Sequence, residues 1–150
     1  MAQKLMFPPA MQIHGSCVSR EGVGVVLLGP SGCGKSDLVL RLLECGFVLV
    51  ADDRVNIADG FASAPPALAG LLEIRGLGIL RLPHAAQAKL ALAVDLSARA
   101  DRLPMPEHHD ALNLPLVHVD PAAASAPLRV ARALDCALGL APQLAGSFRP

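Results

Sequence analysis

A single α/β domain with a mixed sheet is what this sequence predicts, and three observations predict it. The run Val23-Gly24-Val25-Val26-Leu27-Leu28 is short, continuous and apolar, the pattern of a strand buried on both faces. It runs straight into a glycine-rich loop, after which SDLVLRLLEC places Asp37, Arg41 and Glu44 on one narrow stripe and apolar residues elsewhere, as a mostly buried helix does. Gly46 then supplies the left-handed residue that ends such a helix, and Phe47-Val48-Leu49-Val50-Ala51 reads as a second buried strand. Strand, loop, helix and strand make a right-handed βαβ unit.

The remaining elements follow in order. Residues 13–19 and 23–28 flank Arg20-Glu21-Gly22, a short connection that predicts a hairpin and hence an antiparallel component of the sheet. Residues 55–57 and 61–64 flank Ala58-Asp59-Gly60, where the Asp-Gly pair predicts a second hairpin, closed by Pro65-Pro66. In LLEIRGLGILR, residues 71–81, Glu73 and Arg75 fall on one face of an expected strand, and Gly76 and Gly78 permit close backbone approach. Residues 90–94 and 116–119 are further strands, separated by a loop over 96–110 rich in Pro, His and Asp and long enough to be functional or mobile. Val130, Ala131, Leu134 and Leu138 recur at helical spacing opposite Arg129, Arg132 and Asp135, so a terminal helix is expected, with residues 141–150 fraying after it.

Composition bounds the function. A chain of 150 residues is the size of one domain. Apolar residues make up 53% and charged ones only 17%, so much of the chain is expected to be core or subunit interface. Thirteen basic residues balance thirteen acidic ones and there is no Trp or Tyr, which argues against nucleic acid as partner. Arg41 and Glu44 interrupt the longest apolar stretch, so no membrane helix is expected. The start, MAQKLMFPPAMQ, lacks the apolar core and cleavage site of an export signal, and the four cysteines form no C-x-x-C pair. Together these predict a cytoplasmic protein with reduced thiols. Cys33, inside the glycine-rich loop, is read as a passive small side chain. His108 and His109, with Glu107 and Asp110 beside them, are read as a solvated loop rather than a metal site.

The glycine-rich loop carries the chemistry. Gly29-Pro30-Ser31-Gly32-Cys33-Gly34-Lys35-Ser36 fits G-x-x-x-x-G-K-[ST], in which backbone N–H groups cradle nucleotide phosphates. In this reading Lys35 reaches the β- and γ-phosphates of ATP and the Ser36 hydroxyl binds Mg²⁺, at the positive end of the following helix. The second buried strand ends in Asp52-Asp53, which therefore emerges beside the loop, because ligands of such sheets bind beyond the strands' carboxyl ends. Adjacent strand residues point to opposite sides, so one carboxylate faces the γ-phosphate while the other holds a metal-bound water or caps a turn; spacing alone leaves open which. Glu73 is a candidate second oxygen ligand for the cation, and Arg75 a candidate to neutralise transferring charge. An acid beside a phosphate loop suits phosphoryl transfer, where positioning and charge neutralisation dominate. A small-molecule kinase, a nucleotide hydrolase and a non-catalytic nucleotide-sensing module are the competing uses.

The succession IHGSCV, GPSGCGKSD, LVADDRV and APPALAGLLEIRGLGIL strongly resembles the C-terminal catalytic domain of HPr kinase/phosphorylase, over residues 13–81. The resemblance implies the P-loop fold of the phosphoenolpyruvate carboxykinase-like type, a mixed sheet flanked by helices. It also implies phosphorylation of a serine on the phosphocarrier protein HPr at the expense of Mg-ATP. By resemblance the phosphate loop is Gly29 to Ser36, the catalytic lysine Lys35, the Mg²⁺ ligands Ser36 and Glu73, and the general base Asp53. His14, otherwise an ordinary strand histidine, matches the family's active-site histidine. The reverse reaction implied is phosphorolysis by inorganic phosphate, yielding pyrophosphate with the same carboxylate as acid. Where longer relatives carry a basic segment after a V-P-V-like strand, this chain reads Leu114-Pro115-Leu116-Val117-His118-Val119-Asp120-Pro121, without the catalytic arginine. The separate N-terminal regulatory domain of longer relatives has no counterpart either, so the short single-domain form is expected. The resemblance further implies a homo-oligomer, a hexamer.

Overall fold

The computed structural model describes residues 7–98 and 101–149; the first six residues of the export-signal reading and part of the 96–110 loop lie outside them. The chain folds in the order β1 Met11–His14, β2 Ser16–Arg20, β3 Val23–Leu28, α1 Lys35–Leu43, β4 Val48–Ala51, β5 Arg54–Ala58 and β6 Phe61–Ser63. A 3-10 turn at Pro66–Leu68 leads into β7 Leu71–Ile74, β8 Gly78–Arg81, β9 Ala88–Leu96, β10 Glu107–His109, β11 Leu114–Val119 and α2 Ala126–Ala137.

Nine strands form one sheet in the order β1-β5-β6-β9-β3-β2-β4, with β11 beside the carboxyl half of β9 and β10 beyond it. The pairs β3–β9 and β9–β11 are parallel and the other pairs are antiparallel, so the sheet is mixed as expected. The strand–loop–helix–strand unit is present with one insertion: β2 lies antiparallel between β3 and β4 and pairs with both. Two antiparallel steps leave β3 and β4 pointing the same way, so their carboxyl ends open on the same edge.

Both expected hairpins form. Glu21 and Gly22 at φ 52 and 80, and Asp59 and Gly60 at φ 53 and 79, occupy the left-handed region that two-residue hairpin turns require. At the end of α1, Gly46 has φ 88 and the Phe47 N–H donates to the Leu42 carbonyl, closing the helix as a glycine C-cap does.

Three expectations are corrected. The strand over 13–19 is two strands that part at Gly15: β1 pairs with β5 and β2 with β3 and β4. Consecutive strands thus stand near opposite ends of the sheet order, which requires the sheet to bend round on itself. Residues 71–81 form a hairpin, β7 with β8, whose turn holds Arg75; Glu73 and Arg75 do not share a strand face. Within the 96–110 loop, Glu107–His109 pairs with Leu114–Leu116 as an edge strand, placing the two histidines on β10.

Alternation along the central strands divides the core. Val18, Val25 and Leu27 face α1 (Leu38, Val39, Leu42) and α2 (Val130, Leu134), all fully buried. Cys17 and Val26 face the other way, toward Val55, Ile57 and Ala62 of the bent-round strands. Both helices therefore pack on one face, and the sheet's own curl closes the other. Leu72, fully buried in the helical-side core, fastens the β7–β8 hairpin across α1. The segment 141–149, expected to fray, places Phe148 against that same core, its N–H donating to Gln143 Oε1 at 2.7 Å.

Candidate active site

The phosphate loop spans the end of β3 and the start of α1. Gly32 at φ 80 and Gly34 at φ 104 make the turns that a side chain would resist, and the Gly34 carbonyl accepts the first helical bond from Leu38 N–H at 3.0 Å. Lys35 is only 7% exposed, and its ammonium is folded into the loop, donating to the Gly29 and Pro30 carbonyls at 2.6 and 2.9 Å. Ser36, next along, donates to Asp52 at 2.9 Å (Oδ2) and 3.1 Å (Oδ1).

The two acids after β4 have separate environments. Asp52 is 9% exposed and accepts a second hydroxyl bond at 2.7 Å from Ser16, which is itself fully buried at the start of β2. A buried carboxylate needs such donors, because unpaired it would forfeit its hydration. Asp53 turns outward. It adopts φ 69, its carbonyl accepts the Gly15 N–H at 3.1 Å, and its side chain stays 64% exposed with Oδ1 3.5 Å from His14 Nδ1. The other ring nitrogen of His14, Nε2, lies 3.2 Å from the Ser31 hydroxyl on the loop. Side-chain alternation left the assignment of the two acids open; burial separates them, Asp52 inward onto Ser36 and Asp53 outward beside the imidazole.

These groups share one cleft of about 450 Å³. Of the thirteen residues singled out in the sequence, ten line it, including Glu73 from β7 and Arg75 from the hairpin turn; Gly29, Pro30 and Cys33 do not. Asp37, Leu40 and Ile74 also line it and were not singled out for the site, Asp37 because it reads as part of the helix's charged stripe and the other two because they are ordinary apolar residues in helix and strand patterns. Ser16 is the other omission. It stands in IHGSCV with nothing in its own neighbourhood to mark it, since its partner is 36 residues away.

As for metal, among the described residues no three or more His, Cys, Asp or Glu side chains form a ligand cluster, and that holds for the histidine pair too. His108 pairs with Asp110 at 2.9 Å, His109 accepts the Leu112 N–H at 3.2 Å, and Glu107 instead meets His118 at 2.8 Å. At the phosphate loop the expected ligands Ser36, Asp52 and Glu73 offer oxygens in a cleft that the Asp37 and Asp53 carboxylates and the Ser31 hydroxyl also line. Few carboxylates and only oxygen atoms suit Mg²⁺, whose shell is ordinarily completed by phosphate oxygens and water.

A loop joining a buried strand to a helix N-terminus, with an acid from the next parallel strand hydrogen-bonded to the loop's serine, defines a P-loop-type domain. The profile of the HPr Serine kinase C-terminal domain family matches residues 6–112. The chain belongs to that family, and the match reaches past residue 81, where the motif resemblance stopped. It is 39% identical over 128 residues to the HPr kinase/phosphorylase of Burkholderia lata, covering 74% of this chain and 40% of that protein. It is 47% identical over 81 residues to HPr kinase/phosphorylase 1 of Oceanobacillus iheyensis, covering 51% of this chain and 26% of the relative. The chain thus spans well under half the length of these relatives. The solved structure of the Hpr(Ser) kinase/phosphatase from Coxiella burnetii superposes with a TM-score of 0.68 over 87% of this chain and 91% of that one, at 24% identity, a likeness of fold.

Proposed function

We propose that this chain is an ATP-dependent protein serine kinase acting on an HPr-type phosphocarrier, in the cytoplasm and as a homo-oligomer. The observation that carries the reading is the division of labour between the two adjacent acids. Asp52, buried on Ser36, organises the phosphate loop, while Asp53 stands in the cleft with one carboxylate oxygen toward His14. Asp53 is the group free to orient and deprotonate an incoming serine, and an unactivated hydroxyl gains most from such alignment. Lys35 leaves the loop carbonyls for the β- and γ-phosphates, and Arg75 meets the transferring charge from the hairpin turn. Ser36, Asp52 and Glu73 hold Mg²⁺, which when bound neutralises charge on the phosphates. Phosphorolysis, in which inorganic phosphate removes the group and pyrophosphate leaves, uses Asp53 as the acid of the same site.

Incubation with γ-labelled ATP and purified HPr tests this. Transfer to an HPr serine is expected, with Asp53→Asn lowering turnover by about 10²–10⁴ while ATP affinity is kept. Label passing to water or to metabolites but not to HPr would overturn the reading.

A further inference from the structure

We propose that Ser31 is a positioning residue whose hydroxyl, on the phosphate loop, fixes the tautomer of His14 and so the N–H that the imidazole presents to Asp53. The inference rests on the reading of Asp53 as the base and deepens it.

His14 and Asp53 are carried on one paired unit. His14 is opposite Arg54 in the β1–β5 register, and the Gly15 N–H to Asp53 carbonyl bond of 3.1 Å ties the residue after His14 to Asp53 itself. That pairing sets where the ring stands but not which nitrogen bears its proton. A neutral imidazole has one N–H and one lone pair, and the hydrogen bond at one nitrogen decides the state of the other. Nδ1 faces a carboxylate oxygen at 3.5 Å, an acceptor only, and Nε2 faces the Ser31 hydroxyl at 3.2 Å, which is able to donate. The consistent arrangement is Ser31 O–H to Nε2 and Nδ1–H to Asp53 Oδ1, leaving Asp53 Oδ2 to accept the proton of the attacking hydroxyl.

Carboxylate, imidazole and hydroxyl in this order resemble a catalytic triad with its roles reversed, the hydroxyl anchoring and the carboxylate reacting. The hydroxyl matters because the His14 and Asp53 side chains are 42% and 64% exposed, where solvent weakens a bare charge contact. Holding the ring at both nitrogens restricts it from two different elements, the β4–β5 connection that carries Asp53 and the loop after β3.

The test compares Ser31→Ala and Ser31→Thr with the native protein. Long-range ¹H–¹⁵N spectra of the imidazole rings at about pH 8, with His14 assigned by its loss in His14→Gln, read the tautomer. Steady-state kinetics with HPr and ATP read kcat and KM. In the native protein His14 Nε2 is expected to resonate as a lone-pair nitrogen. Ser31→Ala should mix the tautomers and lower kcat about three- to tenfold, the size of one neutral hydrogen bond. Its KM for ATP should stay within about twofold, and Ser31→Thr should restore both readouts. Unchanged ring shifts in Ser31→Ala would overturn the proposal, as would a raised KM for ATP with the tautomer unmoved, which makes Ser31 a phosphate contact only. If the native protein transfers nothing to HPr, the kinase reading fails by itself, and the spectrum of Ser31→Ala then sustains or overturns this inference alone.

Discussion

Removing one hydroxyl, by Ser16→Ala, tests the buried half of the site most directly. Ser16 is fully buried and donates at 2.7 Å to Asp52 Oδ1, and Asp52, 9% exposed, is otherwise held by Ser36 at 2.9 and 3.1 Å. The substitution changes little volume, so the loss is chiefly that of a hydrogen bond to a charged acceptor, about 1.5–3 kcal/mol. For a domain of this size each kcal/mol moves Tm by about 2–4 °C, so a fall of about 3–12 °C is expected. Thermal unfolding of Ser16→Ala, Ser36→Ala and the double variant closes a cycle. Because both hydroxyls serve one carboxylate, the two losses should be non-additive by at least about 0.5 kcal/mol. A Tm within about 1 °C of the native value, or strict additivity, would refute the claim that Ser16 holds Asp52 in place for Ser36.

Three further outcomes are expected. Leu72→Ala empties a fully buried site and should cost about 2–5 kcal/mol, unseating the hairpin that carries Glu73 and Arg75; denaturant midpoints and turnover should fall together. Gly15→Ala puts a Cβ 2.8 Å from the Leu27 carbonyl oxygen and should cost about 1–3 kcal/mol, with turnover falling through the displaced Gly15–Asp53 bond. Burial pushes the Cys17 thiol from 9.0 up to about 12, so the folded form keeps a proton that the unfolded chain sheds above pH 9. Stability should therefore fall as pH rises past 9, by about 1.4 kcal/mol at pH 10, and the difference in Tm between pH 7 and 10 should shrink in Cys17→Ala.

What could be read from the chain alone was what neighbouring residues decide among themselves. The two hairpins were legible because the short connections carry Gly22 and Asp59-Gly60, residues that enter the left-handed region at little cost, and α1 because its charges share one stripe. The phosphate loop was legible because glycine spacing and a following lysine and serine are a local requirement of holding phosphate. Each of these signals lies within a few residues.

Tertiary structure decided the rest, because those outcomes depend on partners far along the chain. Gly15 permits a break in the strand without requiring one; the split exists because β1 finds β5 and β2 finds β3 and β4. Gly76 and Gly78 were compatible with one continuous strand, and pairing of Leu71 with Arg81 and Ile74 with Gly78 put Gly76 in a turn and Gly78 at the start of the return strand. Asp52 and Asp53 are chemically identical in sequence. They differ because a fully buried serine 36 residues away claims one of them, while the Gly15 N–H fixes the backbone of the other beside His14. Local pattern determined the glycine-rich loop with its lysine and serine; which side chains surround that loop was set by the long-range pairing of the sheet.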